Sequence, residues 1–197
     1  MQYTSRQVLE QIYQHPALLS EDLQAIFEAH KPVSVSKGEY FLKTGQVAQS
    51  YFCLLSGIAR SYAIDYEAND ITTAFFSPAE IVIDVVSLFQ RSPAQENIQA
   101  LSNCTALQID FVDFQRLFHA CDAFSEWGRA WMVQALFQLK KRSVSMITDT
   151  AKDRYISLQA QHPHIAQQVA LKYIATYLGI TDTSLSRIRN ELSKCRH

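Results

Sequence analysis

The stretch from Lys31 to Phe111 most narrows what this chain can fold into. Short runs rich in Val, Ile, Tyr, Phe and Thr alternate there with turn residues: VSVSKGEYFLKTG, SYFCLLSGIARSYAID and NDITTAFFS, then NIQALSN and TALQIDF. Gly38, Gly45 and Gly57 fall where tight turns are needed, and glycine accepts the positive φ that a side chain opposes. Glu67-Ala68-Asn69-Asp70 is a further turn candidate. Strands at roughly even spacing, with such turns between them, predict a small antiparallel sandwich or barrel. Between the two groups of strands, EIVIDVVSLFQRSPAQ reads as a short helix followed by a loop.

Both flanks of this region have helical periodicity. Before it, Val8, Leu9, Ile12 and Tyr13, then Leu18, Leu23, Ile26 and Phe27, recur at helix spacing with a break at Pro16. Ser20 reads as the cap of the second helix, with Glu21 and Asp22 in its first turn. After it, a helix of at least six turns is expected over residues 125–148, with two apolar stripes. Met132, Leu136, Leu139 and Met146 make one, and Val133, Phe137, Val144 and Ile147 follow one residue on, about 100° round the helix. A broad core face would account for both stripes. A coiled-coil-like contact with a second copy of the chain is the preferred reading, because a helix resting on one sheet needs only one stripe. Beyond Asp149, Tyr155, Ile156 and Leu158 mark another helix, and His162-Pro163-His164 is expected to end it as a loop.

The segment YIATYLGITDTSLSRIRNEL, residues 173–192, holds one glycine and no proline. Ile174 and Leu178 share a helix face, and Ala175 leaves room for a second helix to cross closely. Gly179 can end the first helix in a left-handed conformation, Ile180 plugs the corner, and Thr181 can cap a second helix with Asp182 in its first turn. That second helix has Leu185 and Ile188 as apolar anchors, with Leu192 at its end. Its other face is Thr183, Ser184, Ser186, Arg187 and Asn190, with Arg189 beside it. A short turn between small residues, followed by a helix polar on its free side, predicts a helix-turn-helix whose second helix enters the DNA major groove.

Composition bears on this reading at one point. The whole chain has a net charge of −1, so any nucleic-acid site must be a local patch. From Leu171 onward Lys172, Arg187, Arg189, Lys194 and Arg196 face only Asp182 and Glu191. The candidate DNA contacts are therefore Thr181, Thr183, Ser184, Arg187, Arg189, Lys172, Lys194 and Arg196. The cysteines Cys53, Cys104, Cys121 and Cys195 are scattered, so neither a disulfide framework nor a metal site is expected. No nucleophile–base set or paired carboxylates suggest an enzyme, and Asp110 and Asp113 read as a helix cap. With no signal-peptide pattern and no apolar run approaching the roughly 20 residues that cross a bilayer, a cytoplasmic protein without a membrane partner is expected.

A strand-rich unit, a long helix and a C-terminal helix-turn-helix, in that order, resemble the CRP/FNR family of bacterial transcription regulators. KGEYFLKTG and SYFCLLSGIARSY resemble the first strands of the cyclic-nucleotide-binding barrel. DRYISLQAQHP with IATYLGITDTSLSRIRNEL closely resembles a subgroup of short members common in Bacteroidetes. The fold class implied is α+β: an N-terminal β-barrel of the double-stranded β-helix or jelly-roll type flanked by helices over residues 1–122, a long dimerisation helix over 123–148, and a DNA-binding helix-turn-helix domain over 149–197. The resemblance assigns base reading to Thr183, Ser184 and Arg187, where the family commonly has an acidic or other polar reader at the first of these positions. It implies double-stranded DNA, a second copy of the chain and RNA polymerase as partners. The sensory end departs from the family. Cyclic-nucleotide binders carry Gly-Glu for the ribose and Arg followed by Ser or Thr for the phosphate. This chain has no Gly-Glu, and Glu96-Asn97 stands at the Arg-Ser position, with Arg91 nearby as a potential substitute. A degenerate effector pocket around Arg91, Glu96 and Asn97, no cofactor, and no response to cyclic AMP are expected. The alternative reading is a cyclic-nucleotide-binding module that signals through protein partners.

Overall fold

The computed structural model describes residues 4–194, and among them eight strands and nine helices. Helices α1 (Ser5–Ile12) and α2 (Ser20–Glu28) lead into β1 (Lys31–Val35), β2 (Tyr40–Leu42), β3 (Ser50–Ser56), β4 (Ala59–Ile64), β5 (Asp70–Phe76) and β6 (Ile81–Val82). After α3 (Val85–Gln90) come β7 (Asn97–Ala100) and β8 (Cys104–Asp110), then α4 (Phe111–Ala120) and the long α5 (Asp122–Thr148). The chain continues as α6 (Ala151–Gln161), α7 (Pro163–Gln168), α8 (Leu171–Tyr177) and α9 (Asp182–Lys194).

The strands form two antiparallel sheets, ordered β1-β8-β3-β6 and β2-β7-β4-β5. This is a jelly-roll sandwich, the first of the two forms expected from the strand spacing, and it corrects the barrel that the resemblance implied. Each sheet keeps two edges, because the outer strands pair on one side only and no ladder joins one sheet to the other. Gly57, at φ +92, makes the β3–β4 turn, and a Cβ there would lie 2.6 Å from the Asn103 carbonyl oxygen. The turn around Ala68 is set by Asp65, whose Oδ1 accepts from the backbone N–H groups of Glu67 and Asn69, each at 2.9 Å.

Local chemistry shifts three expected boundaries. Leu19, not Ser20, is the N-cap of α2, and the Asp22 carboxylate accepts from the Leu19 N–H at 2.9 Å. His162-Pro163-His164 is not a loop: His162 ends α6 and Pro163 opens α7, where its missing N–H costs nothing. The long helix begins earlier than residue 125, at Asp122, with the Cys121 Sγ accepting from the Phe124 N–H at 3.4 Å. The short β6 inside EIVIDVV and the separate helix α4 were not distinguished by periodicity, since short apolar runs fit both periods.

Two apolar clusters organise the chain. The larger joins both sheets to α1, α2, α4 and the first two turns of α5, including Phe124 and Trp127. The smaller joins Ile58, Phe75 and Leu101 of the strand-rich unit to Tyr155, Leu158, Ile165, Ile174, Leu178 and Leu185 of the C-terminal helices.

Inside the larger cluster lies a chain of polar groups. The His30 Nδ1–H donates to the Ile26 carbonyl at 2.7 Å, which leaves Nε2 as an acceptor for the Tyr13 hydroxyl at 2.9 Å. The Tyr51 hydroxyl reaches Tyr13 at 2.8 Å, and burial pushes the neighbouring Cys53 thiol up to about 12. Burial likewise lowers the His30 pKa below its ordinary 6.5, against a smaller opposite effect from the Ile26 bond. The folded state therefore refuses a proton that the unfolded chain accepts. The stability this confers is complete above pH 6.5 and is lost as pH falls from 6.5 toward the lowered folded value, at a slope of up to about 1.4 kcal/mol per pH unit. Between about pH 6.5 and 5 wild-type melting temperatures should fall more steeply than those of His30→Gln; parallel curves would refute this account.

Candidate nucleic-acid interface and effector site

The corner between α8 and α9 is tightly specified. The Ile180 N–H donates to the Ala175 carbonyl at 3.0 Å and the Gly179 N–H to the Thr176 carbonyl at 3.1 Å, with Gly179 at φ +68. This is a Schellman ending, which satisfies orphan carbonyls and turns the chain at once. The Thr181 Oγ1 accepts from the Ser184 N–H at 3.3 Å, and Asp182 sits in the first turn of α9. Leu185 is fully buried, while Ile188 and Leu192 pack at the edge of the smaller cluster. The helix thus has one anchored side and one open side.

Thr181, Thr183, Arg187, Arg189 and Asn190 are exposed, and Ser184 and Ser186 are half-buried. Lys172 is exposed at the start of α8, its Nζ 4.7 Å from the centre of the Tyr173 ring, and Lys194 is exposed at the end of α9. Arg196 lies outside the described residues. Of the acids nearby, Glu191 faces Lys152 at 3.8 Å.

Both stripes of α5 remain uncovered within the chain. Leu136 is 61% exposed, Leu139 65% and Ile147 84%, and Met132, Val133, Phe137 and Val144 are also open. A single-chain core face is thereby excluded for the second half of this helix. Met146 departs from the pattern: a Cβ built on Gly179 would lie 2.9 Å from its Cε, so its methyl end rests on the α8–α9 corner of its own chain. Arginines close the same corner: Arg142 donates to the Tyr177 carbonyl and Arg154 to the Leu178 carbonyl, both at 2.9 Å.

Sequence reasoning missed the contact between the β4–β5 sheet and α8. Arg60 on β4 is 1% exposed. It donates through Nη2 to Asp70 at 2.7 Å and through Nη1 to the Thr72 hydroxyl at 3.2 Å. Its guanidinium lies between the rings of Tyr62, at 4.1 Å, and Tyr173 of α8, at 3.6 Å. Beside it the Thr72 N–H donates to the Thr176 hydroxyl at 3.2 Å, and Phe75 meets Tyr177 at 5.1 Å between centroids. The available signal was a lone cation in the apolar run GIARSYAI, with an acid opening the next strand.

The residues expected at an effector pocket do not converge. The Glu96 carboxylate accepts from the hydroxyls of Ser61 and Thr73, the latter at 3.0 Å, on the second sheet. The Asn97 Oδ1 accepts from the Thr44 N–H at 3.1 Å. Arg91 does not join them. It donates to the Ala48 carbonyl at 2.6 Å and to the Gln49 side chain, and lies 4.8 Å from the Phe111 ring centre, all beside the first sheet. The turn before β6 holds Ala79 at φ +67, a conformation that favours glycine, immediately ahead of Glu80. The Glu80 carboxylate accepts from the Ser77 N–H at 2.7 Å and lies 3.7 Å from His162.

Residues 32–121 match the cyclic nucleotide-binding domain family. No curated protein matches the sequence significantly. Among solved structures, FixK2 from Bradyrhizobium japonicum superposes with a TM-score of 0.74 at 15% identity, over 84% of this chain and 85% of that one. A CooA mutant from Carboxydothermus hydrogenoformans gives 0.68 at 20% identity, over 94% and 88%. The catabolite activator protein of Thermus thermophilus gives 0.58 at 17% identity, over 93% and 87%. At these identities the likeness is one of fold. No helix among the described residues is long and apolar enough to cross a membrane. Sequence and fold agree on the strand-rich unit: the residues that match this family, 32–121, span the jelly-roll sandwich.

Proposed function

We propose that the chain is a homodimeric, sequence-specific DNA-binding transcription regulator of the CRP/FNR type. In this reading residues 1–122 are the sensory domain, 123–148 the dimerisation helix and 149–197 a helix-turn-helix domain that acts with RNA polymerase as partner. One observation carries it: α9 is anchored through Leu185 at a Schellman corner and leaves Thr183, Arg187 and Asn190 open to solvent. A thin polar face on a rigidly held helix suits the major groove, where arginine makes two-pronged contacts with guanine. Selection from random duplexes should yield a two-fold symmetric site with half-sites roughly 34–36 Å apart. On that site Arg187→Ala should cost about 1–3 kcal/mol and relax one base preference, while Lys194→Ala should weaken all sequences alike and flatten the salt dependence. Equal loss on specific and random DNA for Arg187→Ala would remove it as a base reader.

The uncovered second half of α5 supports the dimer, since a stripe this long and apolar is stable in water only when covered. Leu136→Glu combined with Leu139→Glu should give monomers with weak DNA binding in sedimentation and shift assays. A wild-type monomer at micromolar concentration would contradict the dimer.

Cyclic AMP is not the effector in this reading. Its phosphate would enter a site whose aligned residue is Glu96, held by two hydroxyls, while Arg91 is engaged beside the other sheet. Two like charges about 4 Å apart repel by about 4 kcal/mol at an effective dielectric of 20, roughly a thousandfold in affinity. Titration calorimetry should detect no micromolar binding of cyclic AMP or cyclic GMP, and such binding would overturn this point.

A further inference from the structure

We infer that Arg60 is a positioning residue for DNA binding: by clamping Tyr173 it fixes α8, and through α8 it fixes α9, on the β4–β5 sheet. The inference rests on the reading of α9 as the helix that meets DNA. A guanidinium buried to 1% exposure is costly unless something specific is gained. Here hydrogen bonding is incomplete, because the Arg60 Nε has no partner among the described residues. What surrounds the group is planar: one ring from its own strand, and one from a helix 113 residues further along the sequence. Stacking between two desolvated rings is among the stronger settings for a cation.

The contact continues along α8. Tyr173, Thr176 and Tyr177 lie at positions i, i+3 and i+4, which share one face of a helix, and each meets β4 or β5. The Schellman corner that follows leaves α9 little freedom relative to α8. The orientation of α9 is therefore set by a strand pair of the strand-rich unit rather than by α6 and α7 alone. The docked arrangement does not hide the reading face, since Thr183, Arg187 and Asn190 stay exposed. This makes the clamp permissive: it holds the arrangement in which α9 is available. If the clamp is released, only a fraction of molecules has α9 correctly placed, and apparent affinity falls by that fraction.

The test uses the full chain in four forms: wild type, Arg60→Met, Tyr173→Leu and the double variant. In the free protein, amide hydrogen exchange of α8 should speed up in each variant while that of β3 and β8 is unchanged. On the selected DNA site each single variant should bind about tenfold more weakly. The double variant should be no weaker than the weaker single, because both changes break the same contact. Arg60→Lys, which keeps the charge but loses the planar group, should behave like Arg60→Met. Additive losses in the double variant, wild-type exchange in α8, or DNA binding that is unchanged or tighter would each overturn the positioning role. If the wild type selects no DNA sequence, the reading of α9 fails, and with it the role in DNA binding. The exchange data then judge the clamp alone, and unchanged α8 exchange overturns it.

Discussion

The long helix is secured by its first two turns. Phe124 is fully buried and Trp127 nearly so, and the Trp127 indole donates to the Ile12 carbonyl at 2.9 Å while its ring lies 4.5 Å from that of Tyr13. Gly128 lets the helix come within a methyl's breadth of Phe118; a Cβ there would sit 2.7 Å from its ring. This aromatic anchor ties α1, the first sheet and α4 to α5, and so determines the direction in which the remaining five turns project. Those turns give the rest of the chain its layout, because α6 to α9 follow from their far end and fold back onto the second sheet.

The fold-back gives the two sheets different roles. The outer side of the first is covered by α1, α4 and the base of α5, through a core with a buried hydrogen-bonded histidine. The second receives α8 through Arg60, Thr72 and Phe75, a contact that is partly ionic and partly aromatic. Apolar burial is non-directional, whereas a guanidinium between rings with a carboxylate behind it accepts a narrow range of angles. Both sheets share the larger core, and the second also makes the directional contact with the helical part.

Much of this was legible in the sequence, and what was not has identifiable causes. The strands around Gly38, Gly45 and Gly57 and the Gly179 corner were readable because positive φ and period-2 alternation are local signals. The two apolar stripes of α5 were readable for the same reason, though their exposure was not, since periodicity says nothing of what covers a helix face. The choice between a sandwich of two sheets and a barrel was not, because closure depends on which edge strands pair across space. Nor was the role of Arg91: its place near Glu96 in sequence says nothing of the αL backbone, φ +53, that sends its side chain to Ala48 and Gln49. The Arg60–Tyr173 contact joins residues more than a hundred positions apart, and the lone cation in GIARSYAI marks Arg60 without naming its partner.

The meeting of Met146 with Gly179 has a consequence for how this sequence can vary. Two positions 33 residues apart share one small volume, filled by the far end of a flexible side chain. Any side chain at 179 is opposed first by the φ of +68, and a β-branched residue at 146 would lack the bends by which methionine's thioether finds the space beside a backbone. Because position 146 also borders the open stripe of α5, any replacement there is judged twice: once by the fit of the corner, and again by whatever surface comes to lie along the helix.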